Sequence, residues 1–367
     1  MPISDLFTTQ FVIIYFVGFL TSSLCCWGVI RFGASRFARH HDLGATQSMH
    51  SAPTPRIGGT GLFAGLVAIL IIVFWTPWEA KDWFMYLVSI APLFAIGLME
   101  DIGLHMSPVR RFAAIVLSSL LTVGYWGIWV QSIGVPGIDA LLTVAPIAIA
   151  LTVLMAAGVT NAFNLIDGLN GLAGFTAITT AISLGLLGCF FDHFYLAVSC
   201  ALLVALISGF LVFNFPYGKI FLGDGGAYLI GHTLVWFGIG LIYDVPQISP
   251  FAILLIFFWP VADTLLAMWR RQTTKKRTDQ PDRLHVHQVV LRLIEIRFLG
   301  RGRRRLANPL TTVVLLPFVI GPQIAGVLLA TSNLGAAIAT CVFAVIFFLS
   351  YKACIAAAKD GRRKADQ

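Results

Sequence analysis

The sequence predicts an all-α, polytopic integral membrane protein, and three observations carry that prediction. Hydrophobic residues make up 58% of the 367 and charged residues only 11%, a balance outside that of ordinary soluble domains. The apolar residues gather in runs of about 20, the length a helix needs to cross a hydrocarbon core of roughly 30 Å, where unpaired backbone groups are intolerable. The basic residues fall almost wholly between alternate runs.

About eleven transmembrane helices are expected, near residues 11–31, 60–78, 83–98, 112–130, 140–158, 172–190, 195–213, 227–243, 250–268, 310–330 and 334–353. The third run is short for a full crossing. The opening "MPISDLFTTQ" lacks the basic flank of a secretory signal, so the first run is expected to stay as a helix. Lys and Arg resist translocation, whereas acidic residues say little about orientation. An outer N-terminus and a cytoplasmic C-terminus place segments 31–58, 99–111, 159–171, 214–226, 269–309 and the tail from 352 inside. They carry 4, 2, 0, 1, 12 and 5 basic residues, 24 of the 25, and only Lys81 is left outside. Adding or losing one helix would scatter that charge. The net charge of +8 is then a feature of the inner membrane surface, and no nucleic-acid partner is needed to explain it. The six cysteines lie in or beside apolar runs without CxxC spacing, so they read as small hydrophobes. No internal repeat divides the chain, and one transmembrane domain over 1–367 is expected.

The unusual polar residues collect on the inner side. They form "HSAPTPRIGG" (50–59), "MEDI" (99–102), "NAFNLIDGLNG" (161–171), "NFPYGKIFLGDGGA" (214–227) and "RLHVHQ" (283–288), with Asp263 embedded in its helix about two turns before Arg270 and Arg271. Each alone has a structural explanation: Gly and Asn cap helices, Gly supplies positive φ in turns, and an acidic pair can be a solvated helix end. Asp263 resists such an explanation, because an acid within a membrane helix is costly. Five such segments on one face, above short and plain outer loops, point to a site there.

Acids near an interface repel one another unless a cation neutralises them. Oxygen-rich Asp and Asn sites suit Mg²⁺, which takes one or two carboxylates, waters and substrate phosphates. Arg56, Lys219, Arg283 and the Gly-rich turns offer phosphate partners through charge and backbone N–H groups. Carboxylates, Mg²⁺ and phosphate cradles beneath a hydrophobic bundle suggest phosphoryl transfer to or from a lipid phosphate.

These motifs, with the acidic pair in "GLMEDI", "NAFNLIDGLNGLAG" and "FNFPYGKIFLGDGGAYLIG" in this order and spacing, resemble the polyprenyl-phosphate N-acetylhexosamine-1-phosphate transferases, the glycosyltransferase family 4 membrane enzymes. The resemblance covers roughly 45–290. It implies attack of a polyprenyl phosphate on the β-phosphorus of a UDP-amino sugar, giving polyprenyl-diphosphate-sugar and UMP. It implies that Asp224 binds Mg²⁺, with Mn²⁺ as a substitute, and that Asn164 stands beside the metal. Glu100 and Asp101 fall on the family's acidic pair, whose members are assigned either as base or as nucleotide and metal positioning groups. Asn161 and Asp167 share the polar loop, Asn170 sits at a position near the uracil, and Arg283, His285 and His287 match the loop that contacts sugar or diphosphate.

Four positions depart from the family pattern. Glu100 stands for the usual Asp, Asn170 for an Asp common in bacterial members, "GDGGA" for "GDTGS", and Gln288 for a His. "RLHVHQ" lacks the run of three His of the muramoyl-pentapeptide branch, so the resemblance implies a small substrate, UDP-GlcNAc or a relative, with undecaprenyl phosphate as acceptor in a bacterial inner membrane. The product would initiate a surface polysaccharide of the lipopolysaccharide O-antigen type. A homodimer is compatible with the apolar helix faces. Two other classes compete. A transporter would place its polar residues near mid-membrane in repeated halves, and a metallohydrolase would need a clustered ligand set such as HExxH. An inactive homologue is a further alternative.

Overall fold

The computed structural model describes residues 9–33, 54–75, 80–273 and 284–365. Among them there is no strand, and the described parts of the eleven apolar runs are largely helical, with runs 140–158 and 250–268 each divided between two helices. The helices are α1 (Thr9–Gly28), continued by a π turn at Val29–Gly33; α2 (Gly59–Val73); α3 (Ala80–Asp101); α4 (Pro108–Trp126); the short α5 (Pro136–Leu142); and α6 (Ala145–Ile166). They continue with α7 (Leu172–Phe190), α8 (Phe194–Asn214), α9 (Gly223–Asp244), α10 (Pro250–Ile256), α11 (Phe258–Thr273), α12 (Val286–Ile294), α13 (Arg304–Leu328) and α14 (Asn333–Ala365). Among the described residues eight helices are long and apolar enough to cross a bilayer, and α10 with α11, bent by 83° across Phe257, forms either a broken span or a re-entrant pair. The chain is therefore a multi-pass membrane protein.

Local sequence explains where several helices begin. Ser107 accepts the N–H of Arg110 at 3.3 Å and Pro108 opens the first turn of α4, while Gly127, at φ +66°, closes it. Pro also stands in the first turns of α5, α6 and α10, where its missing N–H costs nothing. Two expected boundaries move. The third run, short in sequence, belongs to a helix of 22 residues, because Ala80–Asp82 and Met99–Asp101 continue it into polar surroundings at both ends. The run expected to start at 227 starts four residues earlier, so "GDGG" forms the first turn of α9 instead of a loop.

That helix is the hub. α9 packs against α2, α3, α6 and α7, and 83% of its most apolar stretch is buried within the protein. α1 and α8 close one side against α2 and α7, while α4 lies across α3 and α6. The cysteines among the described residues are all free thiols, as their apolar surroundings led one to expect. The consequence for function is geometric: the first turn of the most enclosed helix opens where the ends of α3 and α6 meet.

Candidate active site

Three backbone amides at the start of α9 face two carboxylates from other helices. Asp101, the last residue of α3 and buried, accepts the N–H of Asp224 through Oδ1 at 2.8 Å and that of Gly225 through Oδ2 at 2.9 Å. Asp167, just past α6, accepts the N–H of Gly223 through Oδ2 at 3.2 Å. The positive end of a helix dipole, with its unpaired N–H groups, favours anions there. Two helices are thus tied to the start of a third by their terminal acids.

Glycine makes this approach feasible. Gly223 adopts φ +75°, and a Cβ there would lie 1.9 Å from the carbonyl oxygen of Arg56. A Cβ on Gly97 of α3 would stand 2.5 Å from the backbone of Gly225. The "PTPRIGG" segment is pinned alongside: Phe221 N–H donates to Pro55 at 2.9 Å, Gly58 N–H to Phe221 at 2.8 Å and Gly59 N–H to Leu222 at 2.8 Å. That pinning brings the positive charge of Arg56 to bear on Asp101 and Asp167.

Asp224 spends its own side chain differently. Its Oδ2 receives Nη1 of Arg111 at 3.1 Å. Arg111, in the first turn of α4, is the functional residue that sequence reasoning missed. The only signal for it was a basic pair beside a Ser-Pro helix start, which also reads as an ordinary inner-face anchor. Asp167 carries part of the electrostatic cost of the cluster. It remains partly accessible to water at its edge, yet burial among protein atoms pushes its carboxyl up to about 7, and Asp224 adds to that rise, while Arg56 and the Gly223 N–H pull the other way.

The remaining expected residues divide. Asn161 donates its amide to Ala157 on its own helix at 3.0 Å, and the half-buried Asn164 stands one turn later on α6. Glu100 is engaged beside the cluster: its Oε2 accepts the N–H of Met106 at 2.6 Å, and its charge bears on Arg111. Asn170 is buried behind the loop. Its N–H donates to Asn308 Oδ1 at 2.8 Å, its Nδ2 donates to Pro216 O at 2.7 Å, and its carbonyl accepts the Thr312 hydroxyl at 2.8 Å. The side-chain oxygen of Asn170 has no partner among the described residues. Lys219 is exposed at the rim, 5.6 Å from the ring of Tyr217. His285 and His287 lie buried at the start of α12 against Asp263, with Nδ1 distances of 3.1 and 3.6 Å to one carboxylate oxygen. Arg283 and residues 50–53 of the first motif lie outside the described residues.

The arrangement fits a sparsely ligated divalent cation. Among the described residues no three His, Cys, Asp or Glu side chains group closely enough to hold a metal unaided. Asp224 and Asp167 nevertheless share one small space, and the second is made costly by the first. Such a donor set suits Mg²⁺, which keeps waters and is completed by substrate phosphates.

Comparisons with known proteins agree with this picture. The family model described as glycosyl transferase family 4 matches residues 83–242, the span that holds every residue of the acid cluster. A decaprenyl-phosphate N-acetylglucosaminephosphotransferase of Mycobacterium tuberculosis (strain ATCC 25618 / H37Rv) is 30% identical over 303 residues, which cover 75% of this chain and 72% of that protein. The corresponding protein of Mycolicibacterium smegmatis is 30% identical over 306 residues, 75% of this chain and 71% of its own. An undecaprenyl-phosphate alpha-N-acetylglucosaminyl 1-phosphate transferase of Escherichia coli (strain K12) is 26% identical over 253 residues, 66% of each chain.

Proposed function

We propose the reaction of this site from the premise that the chain belongs to glycosyl transferase family 4: it transfers N-acetylglucosamine 1-phosphate from UDP-GlcNAc to a polyprenyl phosphate, undecaprenyl phosphate in a bacterial inner membrane. The observation that carries this reading is the meeting of Asp101 and Asp167 on the amides of Gly223, Asp224 and Gly225, with the Asp224 side chain left facing Arg111. An oxygen of the lipid phosphate attacks the β-phosphorus of the donor. The bond from that phosphorus to the bridging oxygen breaks, and UMP leaves with the oxygen. Two anionic groups must converge, so neutralisation of charge dominates the barrier and little covalent work falls to the protein.

The roles of the side chains follow from their partners. Asp101 acts as a brace, since both its oxygens are taken by amides. A lipid phosphate is already ionised at neutral pH, and the reaction needs no strong base. Arg111 and Arg56 supply positive charge at the diphosphate. Asn170 supports the loop at the uracil end through its bonds to Asn308, Pro216 and Thr312. Mg²⁺ would be held by Asp224, with Asn164 and Asp167 beside it, and supplies neutralisation of the two phosphates. The eleven-helix count and the outer N-terminus complete the proposal, an arrangement in which these residues face the cytoplasm, where UDP-sugars are found.

The test uses detergent-purified protein, undecaprenyl phosphate, Mg²⁺ and radiolabelled UDP-GlcNAc, with UDP-GalNAc, the 6-deoxy analogues and UDP-muramoyl pentapeptide as competing donors. A lipid-linked product and UMP in equal amounts are expected. Product from the pentapeptide nucleotide alone, or hydrolysis of the donor without lipid product, would overturn the assignment.

A further inference from the structure

We propose that Asp263 is a positioning residue for this reaction: its buried carboxylate sets the orientation of both His285 and His287, and through them the seat of the loop that carries Asp167. The inference rests on the reading of that loop as part of the donor site.

Asp263 lies on α11, one and a half turns past the break from α10, and is 1% exposed. Its Oδ1 accepts the N–H of Val286 at 3.0 Å, and its Oδ2 is hydrogen-bonded to His285 Nδ1 at 3.1 Å; His287 Nδ1 stands 3.6 Å from the same oxygen, within reach of its charge but without a hydrogen bond. The two imidazoles are stacked, with centroids 5.6 Å apart and planes 21° apart, and are 3% and 1% exposed. One carboxylate therefore faces two rings that enter on the same short stretch of chain. A carboxylate cannot donate, so it selects the Nδ1–H form of the ring bonded to it and leaves Nε2 bare. For His287 the direction of Nε2 is fixed by its neighbour: a Cβ placed on Gly168 would lie 3.0 Å from that atom. Gly168 follows Asp167, whose carboxylate holds the N–H of Gly223. A chain of contact thus runs from Asp263 through His287 to the loop at the acid cluster.

A plain helix cap would also explain the Val286 bond. The two roles separate in Asp263→Asn, because an amide oxygen can still accept from Val286 while the amide nitrogen is brought to the imidazoles. A donor there demands the opposite tautomer of His285. Losing an orienting partner of this kind costs about 10–100-fold in activity in comparable settings. A drop of that size in kcat is expected, with the KM for UDP-GlcNAc changed less than about threefold. Acting through His287 also predicts non-additivity: in a His287→Ala background the Asp263→Asn change should cost less than about threefold more.

The decisive measurement is the ¹⁵N spectrum of histidine-labelled protein in detergent, with His285 and His287 assigned by single Gln variants. In wild-type protein His285 should be protonated at Nδ1, and Asp263→Asn should shift it to the Nε2–H form while changing the signal of His287 beside it. A wild-type His285 ring protonated at Nε2, or kinetic effects of Asp263→Asn and His287→Ala that simply multiply, would overturn the proposal. The wild-type spectrum needs no turnover. An enzyme silent toward UDP-GlcNAc would thus refute the transfer reading while the orientation of the rings is still measured.

Discussion

Asp101→Asn offers the sharpest test of how the site is held. In the wild type a carboxylate takes two backbone N–H groups, at 2.8 and 2.9 Å, from the first turn of a buried helix. Asn keeps the shape but offers one acceptor, so its NH₂ must face one of those amides. A hydrogen bond to a charged group contributes about 1.5–3 kcal/mol, and a buried donor left unpaired costs about 1–3 kcal/mol. Against this stands relief, because a neutral amide avoids the burial of charge beside Asp224 that the carboxylate endures. The two bonds also tie α3 to α9, and the amide left unpaired is expected to loosen the start of α9 by about 1–3 kcal/mol. Thermal unfolding of purified protein in chelator should occur at lower temperature than for the wild type. Turnover should fall at least about 100-fold, because Asp224 loses its fixed backbone. A variant as heat-stable as the wild type and within about threefold of its activity would refute the brace.

Asp224→Asn should cost at least about 100-fold in turnover, the order of one strong transition-state interaction, and chelation of divalent cations should abolish product; full activity in chelator would remove the metal from the mechanism. Glu100→Asp, which shortens a side chain already bonded to Met106, should change turnover less than about fivefold on the same assay, where the loss of one neutral-strength hydrogen bond sets the scale. Asp167→Asn should do opposite things to stability and activity. Its carboxyl titrates at about 7 in the folded chain against about 3.9 unfolded, so the ionised form weakens the fold increasingly from pH 4 to 7. Ligand-free Asp167→Asn protein should lose less stability than wild type across that window, in unfolding scans with chelator, and yet transfer sugar poorly. An equal pH slope in both proteins would show that the acid is not held as described. Reporters fused after residue 307 or at the C-terminus should read cytoplasmic and one within 244–249 external, and opposite readings at both ends would displace every site residue from the inner face.

The bundle was legible in the sequence because lipid leaves the backbone few choices: each apolar run had to be helix, and the described parts largely are. The places where the reading slipped are polar helix ends, where hydrophobicity stops before the helix does. Asp224 reads as a loop residue because Gly surrounds it, yet the three glycines are what let α3 and "PTPRIGG" close on the first turn of α9. Asn308, at the end of a basic inner segment, and Thr312, inside an apolar run, were invisible because their value lies in a partner, Asn170, more than a hundred residues away. Asp263 announced itself by its cost in a membrane helix, but nothing local says that its partners are two histidines more than twenty residues on.

Glu100 and Asp101 show most directly what a sequence withholds. As letters they are interchangeable members of one acidic pair, and any assignment of base or metal group could fall on either. On a helix, successive side chains are turned by about 100°, so at the last turn of α3 only one of the two can look toward α9. That one is Asp101, which is buried with both oxygens engaged, while Glu100 is carried round to the loop it leads into and binds Met106. The extra methylene of Glu100 therefore belongs to a side chain anchored on the Met106 N–H, its charge felt at Arg111, and the departure from the family's Asp at this position leaves the amides of α9 to Asp101.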